Sequence, residues 1–342
     1  MVSCSLCEKK LSAQVIGVCP DCLRSLPEAR VPLHGHEVFR KKLRLPERPP
    51  RHPEAPTCRL CANECRPAPG KRGYCGLREN VAGKIQAIAR TGTALVHIYL
   101  DALPTNCCAA WFCQGSREKG YNLAVFFYGC SFDCLFCQNY SHKRLSEAAL
   151  LAEEKIVAAA LDPAVRCVCF FGGSPEPQLP FALRVSRNIL EKSGGKKHIC
   201  WEWNGSGHPA LVKKAAELSA LSGGTVKFDL KAFHPNIALA LCGVGNRRPL
   251  ENFSLLAKLY PDKDILMATT LLVPGYVDGE EVGAIARFIA QLDCRIPYSL
   301  LVFHPDYLLT DLPVTPRKQV DECLAEASRH LSRVNVGNVH LL

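Results

Sequence analysis

The sequence has no apolar run close to the ~20 residues that a membrane helix requires, so a membrane-spanning protein is not expected. Its opening residues, MVSCSLCEKK, lack the apolar core of a secretory signal, and the expected location is the cytoplasm. Methionine and tryptophan are scarce, at 2 and 3 residues, and carry little information. Charge is not strongly one-sided: the net +10 gives a mildly basic surface, compatible with an acidic partner or an anionic ligand, and selects neither.

Cysteine is where the composition departs from the ordinary, with 20 in 342 residues. Without a secretory context a disulfide framework is disfavoured, and clustered thiols read instead as metal ligands. The remainder, 48% hydrophobic and 22% charged, is that of a globular protein.

The chain divides by texture. Residues 1–56 hold two cysteine pairs and then a Pro/Arg-rich stretch ending RLPERPPRHPEAP, expected to run extended as a linker. Residues 57–121 carry a second cysteine cluster and a connecting segment with the sequence LPTNCCAAWFCQGS. Residues 122–342 alternate short apolar runs with helix-length segments. The runs are Leu123–Tyr128, Arg166–Phe171, His198–Trp203, Thr225–Leu230, Ile265–Leu272 and Tyr298–Phe303, rich in Val, Ile, Phe and Leu as buried parallel strands are. Helices are predicted near 146–161, 179–193, 208–221, 249–260 and 279–292, with a last one after Pro316. Such βα units predict an α/β fold with right-handed crossovers. It is either a partial (β/α)6 barrel or a doubly wound sheet, with ligands at the carboxyl ends of the strands.

The first strand runs into FFYGCSFDCLFCQNYSH, residues 126–142. Cys130, Cys134 and Cys137 follow a C-x3-C-x2-C spacing that delivers three thiolates from one loop. Three thiolates on a four-iron cube leave one iron open to a ligand, which a four-cysteine electron carrier cannot offer. Zinc favours four ligands and paired C-x2-C knuckles, so an iron–sulfur cluster is the better reading of the lone triad.

With Phe136 as the aromatic, C-x3-C-x-aromatic-C resembles the signature of the radical S-adenosylmethionine (SAM) superfamily. The stretch from Gly129 to Asn139 is similar to the branch containing pyruvate formate-lyase activating enzyme, and more closely to AmmeMemoRadiSam-type proteins. The likeness extends over about 57–340. It implies a partial barrel, a [4Fe-4S] cluster on Cys130, Cys134 and Cys137, and SAM. Reductive cleavage of SAM would give a 5′-deoxyadenosyl radical that abstracts hydrogen from a protein or peptide substrate. An anaerobic, low-potential electron donor such as flavodoxin or ferredoxin goes with that chemistry.

The same resemblance places other SAM contacts. FFGGSPEPQ supplies Gly172 and Gly173 where the family has a Gly-Gly-Glu element, but departs from it with Ser174 and Pro175, leaving Glu176 as the nearby acid. WEWNG supplies Glu202 and Asn204, and FDLKAF supplies Asp229 and Lys231, with Lys231 toward the SAM carboxylate. Glu202 and Asp229 match an alkali-cation site of activating enzymes, and His304 stands where a family histidine approaches the adenosine; Tyr307 is a weaker candidate. An ordinary ion pair competes as the reading of Asp229 and Lys231, which share one face of a strand.

Two further cysteine groups are metal candidates. Cys58, Cys61, Cys65 and Cys75 can hold zinc or a second cluster, and Cys4, Cys7, Cys19 and Cys22 have zinc-ribbon spacing. Cys107, Cys108 and Cys113 admit several readings: auxiliary cluster ligands, hydrogen-atom donors, radical acceptors or buried thiols. Cys167, Cys169, Cys200, Cys242, Cys294 and Cys323 read as core residues. Modification of RNA, lipid or a small molecule, including methylation, is the alternative within the enzyme class. A multi-metal electron carrier or a zinc-dependent nucleic-acid adaptor is the alternative outside it.

Overall fold

The computed structural model describes all residues except Met1, Ser12, Asn106, Asp262 and Lys263. Two small antiparallel hairpins come first, β1 (Val2–Ser3) with β2 (Lys10–Leu11) and β3 (Arg78–Val81) with β4 (Lys84–Ala87). The main sheet is built from β5 (Thr93–Ala102), β6 (Tyr121–Phe127), β7 (Leu150–Ala152), β8 (Val165–Gly172), β9 (His198–Trp203), β10 (Val226–Asp229), β11 (Leu266–Leu272), β12 (Tyr298–Val302) and β13 (Val334–Gly337). Among the described residues these form nine strands in the order β13-β12-β11-β10-β9-β8-β6-β5-β7. From β6 through β13 every pairing is parallel, and β5 runs antiparallel to both β6 and β7.

All six apolar runs become parallel strands, because each is buried along nearly its whole length. Their neighbours follow chain order without reversal, so right-handed crossovers put the helices on one face and the sheet curls into an open barrel. A doubly wound sheet needs a point where strand order reverses, and from β6 to β13 there is none.

The helices are α1 (Pro20–Ser25), α2 (His34–Lys42), α3 (Glu153–Ala160), α4 (Leu179–Ser193), α5 (Pro209–Ser222), α6 (Pro235–Cys242), α7 (Arg247–Leu259), α8 (Gly279–Ala290) and α9 (Arg317–Ser328). Their ends carry chemistry that the sequence encodes directly. Proline opens α5 and α6 at the first turn, Asp278 caps α8 by accepting from the Glu281 amide at 3.1 Å, and Gly223 and Gly243 close α5 and α6 in the left-handed region.

Three expectations change. The helix near 146–161 begins only at Glu153, because Leu150–Ala152 pairs with β5 as a strand. The Pro/Arg-rich stretch is not extended throughout, since α2 forms within it and buries His36 and Arg40. The sheet also begins earlier than residue 122 and gains a seventh parallel strand, β13. No helix among the described residues is long and apolar enough to cross a membrane.

Candidate active site at the mouth of the barrel

The loop after β6 carries Cys130, Cys134 and Cys137 to the carboxyl ends of the strands, where a 140 Å3 cavity opens. The loop is pinned to the end of α6: the amides of Asp133 and Leu135 donate to the carbonyls of Cys242 and Leu241, both at 2.9 Å. Beneath it Asp133, fully buried, gathers two cations and a histidine. Lys143 Nζ lies at 2.6 Å, His36 Nδ1 at 3.0 Å and Arg40 Nη1 at 3.2 Å. Burial opposes charge on this carboxyl, yet His36, Lys143 and Arg40 hold it well below the ordinary carboxylate range.

The cavity brings together Cys130, Cys134, Phe136, Cys137, Gly172, Gly173, Glu202, Asn204, Asp229 and Lys231. Both glycines are required. Gly172 sits at φ +109°, and a Cβ on Gly173 would meet the Gly129 carbonyl oxygen at 2.3 Å and the His142 ring at 2.7 Å. Lys231 donates to Asp229 and stands 5.3 Å from the Phe136 ring centre. Burial works against the Lys231 charge, but Asp229 and the Cys134 sulfur keep it protonated beyond the ordinary lysine range. Burial raises Asp229, with Lys231 opposing. Glu202 is engaged instead by Lys227, at 3.3 Å.

Ser174 and Glu176 lie behind the cavity wall. Ser174 Oγ donates to Glu176, whose other oxygen accepts from the Gly205 amide at 2.9 Å. Asn204 Nδ2 then donates to Ser174 Oγ at 3.2 Å and to Cys130 Sγ at 3.6 Å. Glu176 thus acts on the site through Asn204 and not by lining it. Burial pushes its carboxyl up to about 7. The folded protein therefore keeps a proton that the unfolded chain, with its glutamate near 4.5, has released. Stability should fall as pH rises from about 4.5 to about 7, the Glu176 share being on the order of 3 kcal/mol. Glu176→Gln should flatten that part of the slope, read from urea midpoints across the range.

His304 is half-buried outside the cavity lining, its Nδ1 3.3 Å from the Pro305 carbonyl. Tyr307 stacks on Tyr140 and lies 4.1 Å from Lys143 Nζ, over the cluster loop.

Sequence reasoning placed Cys242 in the core without connecting it to the triad. Its sulfur lies 3.6 Å from Cys134 Sγ. The hydrogen bond between Cys134 and Cys242 draws the Cys134 thiol down, against burial, while burial pushes Cys137 up to about 12. Hydrogen bonds to cluster sulfurs stabilise the reduced, more negative state. Cys242→Ala should lower the reduction potential of a cluster held here, measured by redox titration followed by electron paramagnetic resonance.

The residues fit a cluster with SAM beside it. His142 Nδ1, Trp203 Nε1 and Thr269 Oγ1 are buried without protein partners, and all three residues line the cavity. Burial depresses His142 to about 3, so its ring is neutral.

Among the described residues, two groups of three or more ligand side chains lie within 4.8 Å of one another, and neither is the triad. A multi-iron cluster spreads its thiolates wider than a single ion does. One compact group is Cys4, Cys7, Cys19 and Cys22, with Cys7 and Cys19 sulfurs 3.6 Å apart, close to the ~3.8 Å edge of a zinc–thiolate tetrahedron with ~2.3 Å bonds. This knuckle docks on the barrel through Asn236, which donates to the carbonyls of Leu23 and Leu26 at 2.8 and 2.7 Å. Cys58, Cys61, Cys65 and Cys75 are not a compact group; they feel one another's charge, and burial pushes Cys61 and Cys65 up. Their segment braces the cluster loop through Asn63, which donates to the Ser131 carbonyl at 2.6 Å.

Residues 124–289 match the family model of the radical SAM superfamily. That span carries a radical SAM domain, and the chain is an enzyme. Its relatives point to the activating-enzyme branch. It is 41% identical over 134 residues to the isethionate sulfite-lyase activating enzyme of Desulfovibrio desulfuricans, covering 39% of this chain and 40% of that protein. It is 25% identical over 287 residues to the uncharacterized protein MJ0808 of Methanocaldococcus jannaschii, covering 82% of this chain and 81% of that one. Among solved structures, a domain of pyruvate-formate lyase-activating enzyme from Bacteroides vulgatus aligns with TM-score 0.42 at 18% identity, covering 50% of this chain and 98% of that one.

Proposed function

We propose that this enzyme holds a [4Fe-4S] cluster on Cys130, Cys134 and Cys137 and SAM in the adjoining cavity, and that it acts on a protein or peptide. The observation that carries the reading is the convergence of three thiols, the Gly172–Gly173 turn and the Asp229–Lys231 pair on one cavity at the strand ends. When bound, the cluster and SAM would supply, with one electron from an external donor, reductive cleavage of SAM and hydrogen-atom abstraction. The chain's own residues bind and orient. Lys231 pairs with the SAM carboxylate, the Gly173 backbone takes its amino group, and Asn204 fixes the Cys130 sulfur. The relatives named as activating enzymes, of which this chain spans about two-fifths, support a protein substrate.

The N-terminal quartet is assigned to zinc on its compactness, and the Cys58 group to zinc or a second cluster. Asp229 is the carboxylate available to an alkali cation beside the SAM site, Glu202 being engaged by Lys227, and a flavodoxin or ferredoxin is the donor class that fits. Thiol groups that must stay reduced to hold metal support a cytoplasmic location. In this reading residues 1–56 and the Cys58–Cys75 segment are metal-binding attachments to a barrel whose sheet already includes β5. Modification of a small molecule is the second reading, favoured by a 430 Å3 chamber inside the barrel.

The test is anaerobic. Reconstituted, dithionite-reduced protein with SAM should yield 5′-deoxyadenosine by mass spectrometry, and a Cys130→Ala/Cys134→Ala/Cys137→Ala variant should not. An intact, reducible cluster giving neither SAM cleavage nor a SAM-dependent spectral change would bring the electron-carrier reading forward.

A further inference from the structure

The 430 Å3 chamber lies nearer the amino ends of the strands than the candidate active site, and Gln138, Asn139, Phe171, Glu202 and Leu301 line both. Its floor is the segment that carries Cys107, Cys108 and Trp111. That segment is fastened to the opposite side of the sheet, where Trp111 Nε1 donates to Ser299 Oγ at 2.9 Å and Ser299 Oγ donates to the Cys108 carbonyl at 2.9 Å.

Three ligand-type side chains converge in the chamber. The sulfurs of Cys107 and Cys108 and a carboxylate oxygen of Glu202 all lie within 4.8 Å of one another. Lys227, 1% exposed, completes the group, with Nζ 3.2 Å from Cys107 Sγ and 3.3 Å from both Glu202 Oε2 and Cys169 Sγ. A second observation is independent of these groups. Asn122 is 6% exposed, lines the same chamber, and its Oδ1 is buried without a partner, so it awaits a donor from an occupant.

We propose that Cys107, Cys108 and Glu202 bind a divalent, thiol-preferring metal ion inside the barrel, with a coordination position left open to the chamber. Formal charge favours the assignment. Two thiolates and a carboxylate on a divalent ion sum to −1, and the buried Lys227 ammonium brings the group to zero, as a low-dielectric interior requires. The thiolate pair selects zinc or iron(II) over magnesium and calcium. Three protein ligands and an open position form the arrangement that binds water or a substrate group, whereas a four-thiolate structural site is closed. Binding releases the thiol protons to solvent. Lys227 is a positioning residue, donating to the metal-bound Cys107 sulfur. Glu202 also walls the upper cavity, so a substrate group on the ion would sit beside the SAM site. The inference does not rest on the cluster, since none of these residues belongs to the triad.

Full-length protein reconstituted with iron and sulfide, then titrated with cobalt(II), tests it through thiolate-to-cobalt charge-transfer absorption. Cys4→Ser/Cys7→Ser removes the N-terminal ion and should leave a thiolate–cobalt band. Adding Cys107→Ser/Cys108→Ser to that background should abolish one equivalent of uptake, whereas adding Cys113→Ser should not. Lys227→Met should weaken the chamber site roughly ten- to a hundredfold. Cobalt uptake unchanged by Cys107→Ser/Cys108→Ser overturns the proposal, and so does the absence of any thiolate–cobalt band in the Cys4→Ser/Cys7→Ser protein. If the multiple variant fails to fold, Lys227→Met decides, and an unaltered cobalt affinity there counts against the site.

Discussion

Asp133→Ala should destabilise the protein by about 3–5 kcal/mol, the range for removing one partner of a buried charge group. The substitution strands Arg40 and Lys143, each at most 3% exposed, without the carboxylate that compensates them. Neither can reach water without unpacking the cluster loop, and Arg40 is also held flat against the Tyr74 ring at 3.5 Å. Asp133→Asn keeps the shape and some hydrogen bonds but not the charge, and should cost less than alanine and more than a surface change. Urea unfolding of the iron-free protein measures this apart from any cluster contribution. A loss under 1 kcal/mol for alanine would mean that the loop relaxes to solvate its cations. Iron retention should fall in parallel, because the same loop carries the three cysteines proposed to hold the cluster.

Lys231→Met should weaken SAM binding by about 1.5–3 kcal/mol, roughly ten- to a hundredfold, as expected for a lost hydrogen bond between charged groups. The single variant also leaves the half-buried Asp229 beside Glu202 with its lysine gone, so part of its effect is a general loss of stability. Asp229→Asn/Lys231→Met separates the two. It should recover stability relative to Lys231→Met and still bind SAM weakly in anaerobic calorimetry. If Lys231→Met binds SAM as tightly as wild type, the lysine serves only Asp229, and the ion-pair reading of the strand is right.

Much of this was legible in the sequence where burial follows hydrophobic runs. Leu266–Leu272 is buried at every position, and its identity as a parallel strand needs no context. The triad was legible because its three cysteines are close in sequence. Helix α2 was not, because its buried side chains are His36 and Arg40, four residues apart on one face and polar, so hydrophobic periodicity is blind to them. Helix α6 is a short apolar stretch, PNIALALC, that a strand would also fit. Strand β5 was missed because only Ala94, Leu95 and Val96 along it are buried. The grouping of Cys107, Cys108, Glu202 and Lys227 is invisible in one dimension, since its members come from segments up to 120 residues apart. Cys242 beside Cys134, 108 residues away, was hidden for the same reason.

The grip of α2 on Asp133 bears on how the molecule can be cut. The span that the family model recognises, 124–289, includes the loop of Asp133 but omits Arg40, which pairs with that carboxylate, His36, which hydrogen-bonds to it, and β12, which β11 pairs with. A gene trimmed to that span would encode the cysteine loop with a bare buried carboxylate–lysine pair and a newly opened sheet edge, prone to pairing with another copy. What is conveniently portable by resemblance is therefore smaller than what can be expressed as a stable piece, and a dissection of this protein should keep the chain from at least His34 through β13.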